Sequence, residues 1–468
     1  MNYSHQNAMY GTVSAPLPEE GLKQVELTDD TMKERYNKVI SKMKERGLST
    51  LVIYEDLEHG SNFEYLTGFL TRFEEGLLIL HDDGKVYYLL GNENLKLIDH
   101  ARLEGELIHV PHFSLPDQPM DPEKPFGEWL DESVIKTDKK VGVAGWKLFT
   151  GRMDDARKLF DVPHYIVDQL FSVAGKENVV NATDLFTGPE GVRTTNNANE
   201  VAHYEFGAAL ASQRMLKTLD AIEPGITERD LGGILDAYGQ PNTVVTIAAA
   251  GQRFVKANIY PSDNTLKLGD KLSLTVGYKG GLQSRSPMVV HDETELDEAH
   301  KDYLDRLVKP YFTAVTAWLE QVHIGMKGKE LYDLIETVFP KKEYGWELNP
   351  GHLTSDEEWM ASPVSKHSDT TIKSGMLFQV DIIPSVKGYP GVSAEGGVII
   401  ADEQLQKELK TDYPDVWKRM EARRDYVKNT LNIDIHKDIL LSGNATPYLR
   451  PYALNKNKAM VWNKNLAK

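Results

Sequence analysis

Apolar positions recur along this chain with two different periods, and the places where one gives way to the other set the first expectations. In "TDDTMKERYNKVISKMKERG" residues Met32, Tyr36, Val39, Ile40 and Met43 fall on one stripe at helical spacing. Asp29 and Asp30 lead it, Lys42 and Lys44 close it, and Gly47 stops it, an order that complements the helix dipole and predicts an amphipathic helix. "STLVIYE" (49–55) is apolar without alternation and predicts a buried strand. "GLLILHDDGKVYYLLG" (76–91) predicts two strands about an Asp-Gly turn. "KKVGVAG" near residue 142 and "VPHYIVDQL" (162–170) read as two further strands. Helices and strands thus alternate to about residue 180, the pattern of a compact α/β domain.

"TGPEGVRTTNNANE" (187–200) breaks both periods with Gly, Pro and Asn and reads as a linker into a second domain. A long helix is expected from about Ala198 to Ile222, ending at "EPG", and Thr227 with Asp230 resembles a capping box opening the next. Strands are expected near Val244–Ala249, Leu272–Val276 and Pro287–Val290. Two helices follow around "IGMKGK" within 297–339, then paired strands in "GMLFQVDIIPSV" and "GGVIIAD", and a helix in "DYPDVWKRMEARRDYVKNTL". The expected division is an N-terminal arm (1–28), an α/β domain (29–186), the linker (187–200) and a second domain (201–468). The fold class is α/β (α+β).

Composition narrows the function classes. A chain of 468 residues holds two or three domains with sizeable cores. The net charge of −17 argues against a sequence-independent nucleic-acid binder, which needs a basic face. There is no cysteine, so disulfides, thiolate metal sites and a Cys nucleophile are excluded, which fits a cytoplasmic location. The first 25 residues lack the basic and apolar regions of a signal peptide, and no run approaches the length of a membrane span. The stretch from Ile439 to Lys468 carries no Asp or Glu; with basic residues interleaved among apolar ones, it reads as a packed terminal arm.

Several separated segments resemble, in order, the creatinase, prolidase and aminopeptidase P family with its pita-bread fold. "NFEYLTGF" (62–69) resembles a phrase of that family's N-terminal domain. "VRTTNNANEVAHYEFGAALASQRM" is similar to the helix opening its catalytic domain, and "IEPGITERDL" to the turn that follows. "NIYPSDNTLKLGDKLSLTVG", "PGHLTSDEEW", "SGMLFQVDIIP" and "GVSAEGGVII" resemble the segments that carry the ligands of a two-metal site, and "LSGNATPYLRPYALN" resembles a closing arm. The resemblance spans about residues 30–455 and implies an N-terminal α/β domain before a pita-bread domain, arranged as a homodimer.

Matched residue by residue, the family's five metal ligands fall on Thr275, Arg285, His352, Asp381 and Glu395. Two histidines that the family uses around its substrate fall on Asn258 and Trp359. A neutral hydroxyl and a donor-only guanidinium stand where two carboxylates are needed, so a dinuclear centre is not expected. Arg285 is expected to fork onto Asp381 and Glu395, giving a metal-free site with no cofactor. On that expectation His352 is the candidate general base, oriented by Glu395 or Asp381. Thr275, Asn258, Trp359 and Arg285 would line the substrate pocket, joined by Arg72 and Phe73, which match a loop that reaches the partner's site in creatinase-like dimers. Ser284 or Ser286 could serve as a nucleophile only within hydrogen-bond reach of His352. The resemblance therefore implies a metal-independent hydrolase of a small amide or amidino compound. A catalytically silent relative that binds a small molecule or partner, and a single-metal Xaa-Pro aminopeptidase, are the alternatives.

Overall fold

The computed structural model describes residues 3–71 and 73–464. The chain divides into two units, Leu27–Thr194 and a second made of the N-terminal arm to Glu26 together with Thr195 onward. The division falls inside the expected linker.

The first unit is built on a six-stranded sheet in the spatial order Glu106–His109, Val86–Leu90, Gly76–His81, Leu48–Glu55, Lys140–Ala144, Val179–Asn181. Its central strand is flanked on one side by an antiparallel neighbour and on the other by a parallel one. Alternate side chains of that strand feed opposite cores. Leu51 and Ile53 pack with Val39, Met43 and Phe63, whereas Val52 and Tyr54 pack with Ile166 and Leu170. Burial on both faces explains its unbroken apolar run. The expected helix is Asp29–Glu45, and the Thr28 side chain caps it. "VPHYIVDQL" is corrected: His164–Ala174 is a helix, entered from Pro163, with Ile166, Val167, Leu170 and Ala174 buried. The β-branched pair suggested a strand, but the apolar spacing continuing to Ala174 is that of one helical face.

The second unit holds two four-stranded sheets. One runs Ala394–Glu395, Gly281–Arg285, Leu272–Tyr278, Ile247–Ala250; the other runs His352–Leu353, Leu377–Gln379, Gly397–Ile400, Ile439–Leu441. The chain passes from the first sheet to the second at Gly396. A Cβ there would lie 1.9 Å from Thr446 Oγ1 and 2.5 Å from Gln283 Nε2, so only glycine fits the crossing. Ala198–Ala221 is a long helix opened by an Asn197/Glu200 capping box, and Glu228–Leu235 by the expected Thr227/Asp230 box. Pro287–Val290 forms no strand, only isolated bridges from Met288 to Lys271 and to Tyr452. The helix Glu403–Asp412, which the apolar pattern did not single out, precedes the expected one at Pro414–Asn429.

Both termini pack on this second unit. Ala8–Thr12 pairs antiparallel with Lys458–Trp462, and Glu19 forks onto the buried Arg423 at 2.6 and 2.7 Å. The acid-free C-terminal stretch is thus a packed arm as far as it is described. Among the described residues no helix is long and apolar enough to cross a membrane.

Candidate functional site

Where the two sheets of the second unit meet, buried polar side chains collect. His352 begins a short strand paired with Leu377–Gln379, Asp381 lies two residues beyond that partner strand, and Glu395 ends the strand beside Gly281–Arg285. One ligand-type atom from each of these three lies within 4.8 Å of the others, and all three residues are buried.

The imidazole is held from every side. Its Nδ1 lies 3.2 Å from the Leu353 carbonyl, which fixes Nδ1 as the donor and leaves Nε2 to face the carboxylates. Trp359 stacks on the ring, centroids 4.1 Å apart and planes 19° apart. Nε2 is 3.0 Å from Glu358 Oε1, an ion pair, and 3.8 Å from Asp381 Oδ2, while the other Asp381 oxygen, Oδ1, is buried without a hydrogen-bond partner. Burial pushes the imidazole down, but Glu358 and then Asp381 outweigh it and hold His352 above its ordinary range. Burial pushes Asp381 up to about 6 against the pull of His352. It pushes Glu395 well above the carboxylate range, with Asp381 and Glu358 adding to the effect.

Glu358 was not singled out by the sequence. It sits one residue before Trp359 on a loop tied down by the Gly280 N–H on the Ser355 carbonyl, 2.7 Å, and by Tyr204 on Asp356, 2.9 Å. The surplus of acids in "TSDEEW" directly after His352 was the available signal, but three neighbouring carboxylates gave no means of choosing among them.

Strand register corrects the reading of the hairpin. Thr275 stands opposite Ser284, and Ser284 opposite Glu395, whereas Arg285 is paired with Leu274 and Ala394. Because side chains alternate across a sheet, Thr275, Ser284 and Glu395 share one face and Arg285 points to the other. The expected fork onto Asp381 and Glu395 is therefore not formed. Arg285 Nε donates to the Tyr448 carbonyl at 3.1 Å, Nη1 to the carbonyls of Ser284 (2.6 Å) and Glu395 (2.7 Å), and Nη2 to that of Ala445 (2.5 Å). Burial pushes its guanidinium down to about 10, against Tyr311 and Glu395, which favour the charge. Ser284, one residue earlier, is the position that stands across from Thr275, and their hydroxyls bond each other at 3.1 Å. Ser286 donates to the Leu272 carbonyl. Neither serine hydrogen-bonds His352.

Three further expected site residues are Asn258, Phe73 and Arg72. Asn258 is exposed, its N–H on the Arg253 carbonyl. Phe73 belongs to the first unit, where it is 75% exposed with a left-handed φ of 72°. Arg72 lies outside the described residues.

Residues 203–408 match the model of metallopeptidase family M24, and residues 35–169 match that of the creatinase/prolidase N-terminal domain. The chain belongs to the creatinase/prolidase family. It is 24% identical over 238 residues to an Xaa-Pro dipeptidase of Lactobacillus helveticus, an alignment that covers 49% of this chain and 61% of that protein. Solved structures of the family carry the same fold. An Xaa-Pro dipeptidase from Bacillus anthracis aligns with TM-score 0.60 at 16% identity, covering 80% of this chain and 96% of its own. A dipeptidase from Mycobacterium ulcerans aligns with TM-score 0.62 at 16% identity, covering 80% and 95%.

Set against the ligand positions that the resemblance implies, the hairpin face offers Thr275 and Ser284, neutral hydroxyls bonded to each other, which suit a second divalent ion poorly. A second divalent ion would have no charged ligand of its own. The donors that remain, one imidazole with a fixed tautomer and neighbouring carboxylates, are sufficient for one ion.

Proposed function

We propose that this chain is a creatinase/prolidase-family protein in which two-metal cleavage of Xaa-Pro peptides is closed. Its remaining acid cluster is directed at the C–N bond of a small amide or amidino compound. The observation that carries the reading is the row Thr275–Ser284–Glu395: one carboxylate on a face where the two-metal reaction needs three. His352 does not serve as the free general base in this reading, since it is fully buried with Nδ1 spent on Leu353. Proton transfer falls instead to the carboxylates beside it, since burial holds Asp381 up at about 6 and Glu395 well above the carboxylate range. The test is an assay of Xaa-Pro dipeptides with added Mn²⁺ or Co²⁺, run beside a panel of small amides and amidines scored by release of amine or urea. Turnover confined to the second panel supports the reading. Metal-stimulated release of proline overturns it.

A further inference from the structure

The N-terminal arm lies on the second unit as an extended segment whose backbone is read by side chains. Tyr426 Oη donates to the Ser14 carbonyl at 2.7 Å, Asn444 Nδ2 to that of Leu17 at 2.8 Å and Gln213 Nε2 to that of Glu19 at 3.0 Å. Further along, His203 Nδ1 lies 2.7 Å from the Val25 carbonyl, and Asn199 Nδ2 donates to that of Glu26 at 3.0 Å. The sequence suits this mode of binding. Pro16 and Pro18 restrict themselves and the residues before them, Ala15 and Leu17, to extended backbone. A polyproline helix turns once in three residues, so the Ser14 and Leu17 carbonyls fall on one side. From 14 to 26 only Pro16 is fully buried, and Leu17 is 83% exposed. The stretch is held chiefly by donors to its carbonyls and by one carboxylate.

That carboxylate is Glu19, forked onto Arg423. The helix Pro414–Asn429 sets Arg419 and Arg423 over Glu205, which Arg419 grips at 2.9 and 2.6 Å and Arg423 at 2.5 Å. Without the arm, two guanidiniums would face one carboxylate. Beside the arm a cavity of about 510 Å³ stays open, lined among others by Leu17, Lys418, Ala422 and Tyr426. Its size is that of a ligand pocket.

We propose that this surface is a docking groove for an extended, proline-containing acidic segment of a partner protein, and that residues 14–26 occupy it as an internal ligand. Charge and hydrogen bonding together specify the occupant. The guanidinium pair takes one acid, as it takes Glu19, and Lys418 lines the same cavity as the arm's second acid, Glu20. Tyr426, Asn444 and Gln213 read carbonyls and place no demand on side-chain identity, as in other grooves that bind extended peptides. A partner segment with a larger apolar residue beside its acid fills the cavity that the arm lines without filling. The groove uses none of the residues of the acid cluster, so it stands apart from the proposed function.

The experiment measures binding of a fluorescein-labelled peptide of residues 13–26 to the full chain by fluorescence anisotropy. In wild type the tethered arm competes at an effective concentration of about 1 mM. The chain variant Glu19→Ala, which breaks the arm's fork, is therefore expected to bind the free peptide at least about 10-fold more tightly than wild type. A peptide carrying Glu19→Gln should bind about 10–100-fold more weakly than the unaltered one, the worth of hydrogen bonds to a charged group. Adding Tyr426→Phe to the Glu19→Ala chain should weaken the unaltered peptide roughly 2–10-fold, the worth of one neutral hydrogen bond. Far-ultraviolet circular dichroism establishes that each chain variant is folded, and the peptide variant needs no change to the chain. Absence of binding to the Glu19→Ala chain, or equal binding of the two peptides, overturns the proposal and leaves the arm a structural strap. Cross-linking of mixed isotope-labelled and unlabelled full chains tests the occupant: arm-to-groove links between chains would overturn it and assign the groove to a second copy.

Discussion

Replacing Arg285 with Met tests whether this residue is an interior brace or a charge partner of the site. The guanidinium is 1% exposed and donates to four carbonyls through three nitrogens. Ser393 Oγ also donates to the Ser284 carbonyl at 3.0 Å, so that acceptor keeps a partner in the variant. The loop carbonyls of Ala445 and Tyr448 do not, and each orphaned buried acceptor costs about 1–3 kcal/mol. Loss of the bond to the Glu395 carbonyl adds to this, while relief from burying a cation, several kcal/mol per ion, offsets part. The expected net loss is about 3 kcal/mol. Arg285→Lys keeps the charge but has one nitrogen for four acceptors, so it is expected to recover only part of the loss. Urea unfolding followed by tryptophan fluorescence reports on this unit, because Trp318 and Trp346 lie in its core. A midpoint for Arg285→Met within about 1 kcal/mol of wild type, or full recovery by Lys, would refute the brace and restore Arg285 as a point charge serving the carboxylates.

Other expectations follow from the same geometry. Glu55 is fully buried with its Oε1 unpartnered, and burial holds its carboxyl well above the ordinary range. The native state therefore binds the extra proton, and stability falls as pH rises from the ordinary carboxylate value toward the raised one. Glu55→Gln removes that decline, so its advantage over wild type should grow by about 1.4 kcal/mol per pH unit across the window, measured by chemical unfolding at several pH values. Glu19→Ala takes one carboxylate from the buried Arg423, leaving Glu205 at 2.5 Å and the Leu441 carbonyl at 3.0 Å, and should cost about 3 kcal/mol and expose the N-terminal arm to proteolysis. Asn197→Ala removes the cap of the long helix and should cost about 1 kcal/mol in the same unfolding assay.

Much of the fold was legible in the sequence because local chemistry and burial agree there. The Asp-Gly turn, the Thr227 cap and the doubly buried strand at 48–55 each follow from residues within a few positions of one another. The strand expected at 162–170 was not recoverable from its first residues, since Ile and Val favour strands until the spacing to Leu170 and Ala174 is counted. At the site, His352, Asp381 and Glu395, which the resemblance picks from separate segments, converge. The resemblance also placed Arg285 one residue out of phase. A hairpin's facing is decided by register, and a shift of one position moves a side chain to the opposite face. The same long-range pairing brought Ser284 beside Glu395, and a tied loop brought Glu358 to His352, neither of which spacing along the chain encodes.

The central claim is that the two-metal centre of the family is absent here because the hairpin presents hydroxyls where carboxylates are required. Anomalous diffraction from crystals of the protein grown with Mn²⁺ tests it most directly. The expected map has no peak beside Thr275 and Ser284 and no pair of peaks at the cluster. Two peaks a few ångströms apart, the second against the hairpin hydroxyls, would contradict it.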